Sequence, residues 1–265
     1  MTKPIKKYNF KESVKNRVEI VSLEQLTENQ PHLIFTPHRT DFYHIFLFED
    51  CAPTHTVDFR SIPIVPYSIL FVGEGRVHLF DNKKQYKGKV LIFTEEVFTN
   101  AGYTSNDFKS SQLFNGIEDN LLLLPTDSLK SQLAIIISLI TAELANVNSI
   151  NSHAILKNYI HNLLLMCERE THDTRAPQAD VIDFTFVSDF KRFVDAHYTE
   201  HLAVSDYANK LLITEKRLTA ATNKILGKTA KEIISERVVL EAKRLLIHSG
   251  NSIKMIAAVL GFEDS

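Results

Sequence analysis

Between Thr214 and Gly227 the chain reads TEKRLTAATNKILG, and its residue types alternate at helical intervals. Leu218, Ala221 and Ile225 recur three and four apart and mark a side to be buried. Lys216, Arg217, Thr219, Ala220, Asn223 and Lys224 occupy the other face. The chemistry of that face is recognition. Ammonium and guanidinium groups neutralise phosphates, while amide, hydroxyl and methyl groups meet base edges. Thr214 is a good N-cap, because its oxygen can accept from an otherwise unpaired amide. Gly227 can take the positive φ that ends a helix.

The other chemistry-bearing residues are histidines. His38, His44, His55 and His78 fall in a stretch of short apolar runs. A histidine metal site on a strand wants two rings at i and i+2, facing the same way. No His-x-His exists here, so no metal and no cofactor are expected. Nor does any serine or cysteine sit in a nucleophile elbow, and Gly73-Glu74-Gly75 precedes no phosphate-binding helix. These absences argue against an enzyme.

The elements that must position the polar face follow from periodicity. A short helix begins at Ser205, with Tyr207, Ala208, Leu211 and Leu212 on one side, and Leu212-Ile213 makes the turn into the next helix. After Lys228-Thr229 a long amphipathic helix runs with Ile233, Ile234, Val238, Ala242, Leu245 and Leu246 inward. Ser252 and Ile253 open a further short helix that Gly261 breaks. Upstream, Phe184 to His197 forms a helix that packs on this unit through Phe186, Phe190, Phe193 and Val194.

At these residues the chain resembles the AraC/XylS family of bacterial transcription regulators. The resemblance is carried by Ala208, Leu218, Gly227, Thr229, Arg237, the block Glu241-Ala242-Lys243-Arg244-Leu245-Leu246, Ser252-Ile253, Ile256-Ala257 and Leu260-Gly261-Phe262. It implies two helix-turn-helix units joined by a linker helix and seated in successive major grooves of double-stranded DNA. By family position Lys216, Thr219 and Ala220 go to base edges. Arg217, Asn223 and Lys224 lie nearer the backbone, and Thr229 offers a hydroxyl and an amide to a phosphate. The family usually has Arg or Lys where Ala220 stands and an aromatic where Thr222 stands. Asp264-Ser265 resembles the cap of a further helix, so the second recognition helix is expected to be missing, as in a truncated or incomplete chain or a natural product that has lost one of two DNA readers.

Leu33 to Phe114 has the texture of an all-β domain, with HLIFT, FYHIFLFED, HTVDFRSIPI, SILFVGEG, RVHLFD and KVLIFT set between prolines and glycines. It resembles the cupin-type barrel that many AraC-family members carry as a sensor, through Pro37 to His44, Asp58-Phe59, Ile64, Ile69 to Val72, Gly75 to His78 and Leu91 to Phe93. A barrel interior lined by alternate side chains suits a small-molecule effector. Parity and resemblance nominate His38, Phe42, His44, Phe46, Phe71 and His78 for its pocket. Residues 1 to about 17 are expected to be a mobile tail.

Thr126 to Asn146 and Ser152 to about Glu170 read as two amphipathic helices. The first carries an apolar stripe widened by Ile135 and Leu139, which suggests pairing of two copies of the chain. Thr171 to Ala179, with Pro177, reads as a linker.

The fold class expected is therefore α+β: residues 1–170 a cupin-like sensing and dimerisation domain, 171–182 a linker, and 183–265 an AraC-type DNA-binding domain. A length of 265 residues, 44% hydrophobic and 23% charged, is ordinary for such a pair of domains. No apolar run reaches a membrane span, two cysteines make no disulfide framework, and no signal region follows the charged N-terminus. A cytoplasmic homodimer binding promoter DNA and a small effector, with no membrane partner, is the expectation. The net charge is −2, but from Phe184 onward 12 lysines and arginines face 10 acids. The competing readings are a cupin-type enzyme, or a decoy that pairs with an intact relative without binding DNA.

Overall fold

A computed structural model describes residues 5–99, 111–115, 122–146, 149–172 and 181–262. The chain divides into two compact units, one built on Lys6–Phe114 with Asn120–Arg175, the other dominated by Ala176–Ser265.

The first unit holds two five-stranded sheets. One sheet has the order β1 (Lys6–Tyr8), β3 (His38–Thr40), β8 (Val77–Phe80), β5 (Thr54–Val57), β6 (Arg60–Pro63). The other runs β10 (Leu122–Leu123), β7 (Ile69–Val72), β4 (Tyr43–Phe48), β9 (Gly88–Phe93), β2 (Val18–Ser22). The expected mobile tail is corrected at its strand: β1 pairs in parallel with β3, Lys6 opposite His38, and Phe10 is buried. Main-chain pairing plus an aromatic anchor fixes what charge density alone suggested was loose.

Two short helices, α1 (Leu23–Asn29) and α2 (Pro31–Ile34), follow β2. The turn between β5 and β6 is Asp58-Phe59, both at positive φ (46° and 69°), the two-residue form that matches the twist of a hairpin. Past β9 come α3 (Glu96–Thr99) and α4 (Gln112–Asn115), then α5 (Asp127–Leu144) and α6 (Ser152–His172).

The sheet of β4, β7 and β9 is buried on both faces. One face packs Ile45, Ile69, Phe71, Leu91 and Phe93 against Leu133, Ile137 and Ile140 of α5 and Leu156, Ile160 and Leu163 of α6. The opposite face turns Phe46, Phe48, Leu70, Val72 and Val90 toward Val57, Phe80 and Tyr86 of the barrel interior. Strands buried twice read as continuous apolar runs, as ILFV does. Ile135 and Leu139 of α5 stay 61% and 41% exposed, so the stripe is wider than its partner covers.

The second unit is all helix: α7 (Val181–His197), a 3-10 turn (Tyr198–Glu200), α8 (Val204–Lys210), α9 (Glu215–Leu226), α10 (Ala230–His248) and α11 (Ile253–Val259). Phe190, Val194, Tyr207, Ala208, Leu218, Ala230 and Ile233 form its core. Of the linker expected over 171–182, residues 173–180 lie outside the described residues, while Thr171 and His172 belong to α6 and Val181 and Ile182 to α7.

Candidate nucleic-acid interface and barrel interior

Helix α9 is bounded by the two signals its sequence carries. Thr214 accepts from the Arg217 amide at 3.1 Å, and Gly227 caps the other end at φ 65°. Leu218, Ala221 and Thr222 are buried, and Thr222 bonds back to the Thr219 carbonyl at 3.1 Å. At about 100° per residue, the direction opposite that face belongs to Lys216, Ala220 and Asn223. All three are exposed, and Thr219 sits half-buried beside them.

Arg217 and Lys224 lie on one flank, where the structure supplies a partner that sequence reasoning missed. The Asp183 carboxylate of α7 is buried and ion-paired to both, to Arg217 in a close contact and to Lys224 at 3.1 Å. The Arg217 guanidinium also lies 5.3 Å from the Phe186 ring. Burial raises the Asp183 carboxyl, yet the bonds from Lys224 and Arg217 outweigh it and hold it below its ordinary value. These cations clamp α9 onto α7. No local pattern pairs residues 34 and 41 apart, so the sequence offered no signal for it.

Thr229 is also engaged. It caps α10, and its amide and hydroxyl donate to Glu232 Oε2 at 2.7 and 2.8 Å, while the Glu232 amide donates back to Thr229 Oγ1 at 3.2 Å. The hydroxyl and amide expected to face a phosphate are held by a carboxylate in a capping box.

Two apolar expectations are corrected. Leu212 is not on the packed side of α8. It takes φ 57° in the turn and is 93% exposed, because the turn needs a left-handed residue there. Leu246 of α10 is 54% exposed, and the inward places go to Glu241 and Arg244. Arg244 meets Glu241 Oε2 at 2.8 Å, and Arg237 meets it at 3.2 Å. Arg237 also reaches Asp195 at 2.6 Å and lies 4.0 Å from the Tyr198 ring. This charged network orients α10 against α7. Gly261, at φ 84°, lies so close to the Thr199 carbonyl that a Cβ would collide with it.

In the first unit, His38, His44, Phe46 and His78 come together as expected, with Phe42 at their edge. His78 has its ring centroid 4.3 Å from His38 and 4.8 Å from His44, and Phe42 lies 4.8 Å from His44. His55, left out of the expected pocket, belongs to the group: its Nε2 is 3.2 Å from His78 Nδ1. Phe71 is a correction. It pairs with Ile45 and shares its side, facing α5 and α6 and not the barrel interior.

The electrostatics of the cluster are those of neutral imidazoles. Burial, and then neighbouring histidines, lower His44 to about 3 and push His78 well below its ordinary value. Burial and His38 lower His55 to about 3. Burial also lowers His38, opposed by the Thr36 carbonyl, which accepts from Nδ1 at 2.8 Å. One of His55 and His78 donates to the other, whichever tautomer each adopts. The pair therefore ends in one N–H and one bare nitrogen, at His55 Nδ1 and His78 Nε2, and neither has a partner. His44 Nδ1 is likewise buried without one. Among the described residues no group of three or more His, Cys, Asp or Glu side chains is arranged to hold a metal ion, and no helix is long and apolar enough to cross a membrane.

Comparison with known proteins matches residues 207–265 to a helix-turn-helix domain family. The lactose operon transcription activator of Staphylococcus xylosus is 29% identical over 132 residues, 49% of this chain and 46% of that protein. The aligned part thus spans less than half the length of that relative. Among solved structures, ToxT of Vibrio cholerae matches with a TM-score of 0.42 and 15% identity, over 93% of this chain and 90% of its own. The AraC-like transcriptional activator CuxR matches at 0.38 and 16%, over 85% and 77%.

Proposed function

We propose, for a chain whose residues 207–265 carry an AraC-type helix-turn-helix domain, that it is a sequence-specific regulator of transcription acting on double-stranded promoter DNA. The observation that carries this reading is α9. Its rear is sealed into the unit by Leu218, Ala221 and Thr222, while Lys216, Ala220 and Asn223 face outward with nothing packed over them among the described residues. A helix held that way by a preceding short helix suits the major groove. The curated relative is named a transcription activator, which supports the same class.

In this reading residues 1–170 sense a small molecule and pair protomers, and 183–265 read DNA. The buried histidines with unpartnered nitrogens are the polar groups an effector would meet. The exposed Ile135 and Leu139 are where a second copy would pack on α5. The regulator works in the cytoplasm, and effector binding alters how the DNA units are presented. Fluorescence anisotropy on promoter fragments at fixed salt tests the DNA assignment. Binding should be sequence-dependent, and Lys216→Ala should weaken the specific complex by about 1–3 kcal/mol. Equal affinity for all fragments would refute it. Sedimentation of the chain and of Ile135→Glu, which should shift a dimer to monomer, tests the pairing surface.

A further inference from the structure

The family position places Asn223 beside the DNA backbone, but the packing of α9 points it elsewhere. The direction exactly opposed to a buried face is the one that enters a groove, and residues about 90° away meet the groove walls. Measured from Lys216 at about 100° per residue, Asn223 lies about 20° to one side and Ala220 about 40° to the other. Arg217 and Lys224 lie about 80–100° away, where Asp183 holds them both. Lys216, Thr219, Ala220 and Asn223 thus form a single i, i+3, i+4, i+7 row, the spacing by which one helix face lines up along a row of base pairs.

Asn223 is also chemically uncommitted. Its carbonyl caps Gly227, but among the described residues its side-chain amide makes no hydrogen bond, and the residue is exposed. Ala220 between Lys216 and Asn223 has only a methyl group, so the helix can sit deep enough for a short amide to reach. A carboxamide presents one donor and one acceptor side by side, which matches the N7 and N6 edge of adenine.

Resting on the DNA-reading assignment above, we propose that Asn223 is a specificity-determining residue that reads adenine at one position of the bound site. The test is selection from a random library of double-stranded DNA with the full chain, as wild type, Asn223→Ala and Arg217→Ala. Wild type should enrich a defined site. Asn223→Ala should lose preference for adenine at one position by roughly 5- to 150-fold and keep the rest, the span of one good bidentate contact. Arg217→Ala, which removes one cation from the clamp on Asp183, should lower affinity alike for all sites and single out no base position. Unchanged preferences in Asn223→Ala, or a uniform loss at all positions, overturn the inference and leave the DNA reading intact. Enrichment of no sequence by wild type overturns both. Matching circular dichroism spectra for wild type and Asn223→Ala exclude misfolding as the source of any loss.

Discussion

Lowering the pH should loosen the barrel before carboxylates titrate. Burial first, then neighbouring imidazoles, hold His44 and His55 at about 3, and no carboxylate is among the groups that shift them. In the unfolded chain each returns to about 6.5. The unfolded state therefore takes up protons as pH falls below about 6.5, and the folded state does not. Stability is complete above that value and declines toward pH 3, at about 1.4 kcal/mol per pH unit for each histidine. At pH 5 His44 and His55 together cost about 4 kcal/mol, a large part of the roughly 5–15 kcal/mol that holds a domain together. His78 and His38 act in the same sense. Urea unfolding at pH 7.5, 6.5, 5.5 and 5.0, followed by Tyr and far-ultraviolet signals, measures it. The slope should correspond to two or more protons, and His44→Gln with His55→Gln should flatten it. Flat stability from pH 7.5 to 5.0 would show that the rings accept protons in place, and the reasoning would fail.

The remaining expectations concern single sites. Glu241→Ala leaves Arg244 buried beside an empty place and should destabilise the second unit by about 3–5 kcal/mol in urea, with Arg244→Met added to it recovering most of the loss. Leu212→Gly removes the cost of a left-handed leucine, partly offset by the freer unfolded chain, and should raise stability by about 1 kcal/mol, read as a rise in Tm. The Cys167 thiol, fully buried and pushed up to about 12 by burial and then Glu168 and Glu170, should react with a maleimide at pH 7.5 on the order of 10³-fold more slowly than the same thiol in urea.

The order of sheets and helices was legible because it is written locally. The N-cap read at Thr214 accepts the Arg217 amide, and Gly227 ends α9 as read. What failed was information held by pairing. Phe71 and Leu70 are both buried, so alternation along ILFV cannot say which faces the barrel; the register with Ile45 decides it. Leu246 and Leu212 look inward on a helical wheel, but Glu241 and Arg244 satisfy each other inside, and the turn demands one residue at positive φ. Asp183 resets the roles of Arg217 and Lys224 from 34 and 41 residues away, a distance over which sequence carries no periodic signal. The six residues nominated for the pocket were chosen by parity and resemblance, and His55 was left out because only the pairing of β5 with β8, Val57 opposite His78 and His55 opposite Phe80, puts its ring on the same side as His78.

The closed packing of the four histidine rings has a kinetic consequence. His55 and His78 are 0% and 1% exposed, so a small molecule cannot reach their free nitrogens through the conformation described here. For an effector of the kind proposed, entry would wait for the sheets to part, an event that belongs to the protein and not to the solute. At low concentration capture would follow mass action. At high concentration the observed rate would level off at the opening rate, the same number for every effector that fits. Stopped-flow traces that plateau at one ceiling for chemically different solutes would reveal this gate, and its height would report how firmly β4, β7 and β9 are held by the cores on their two faces.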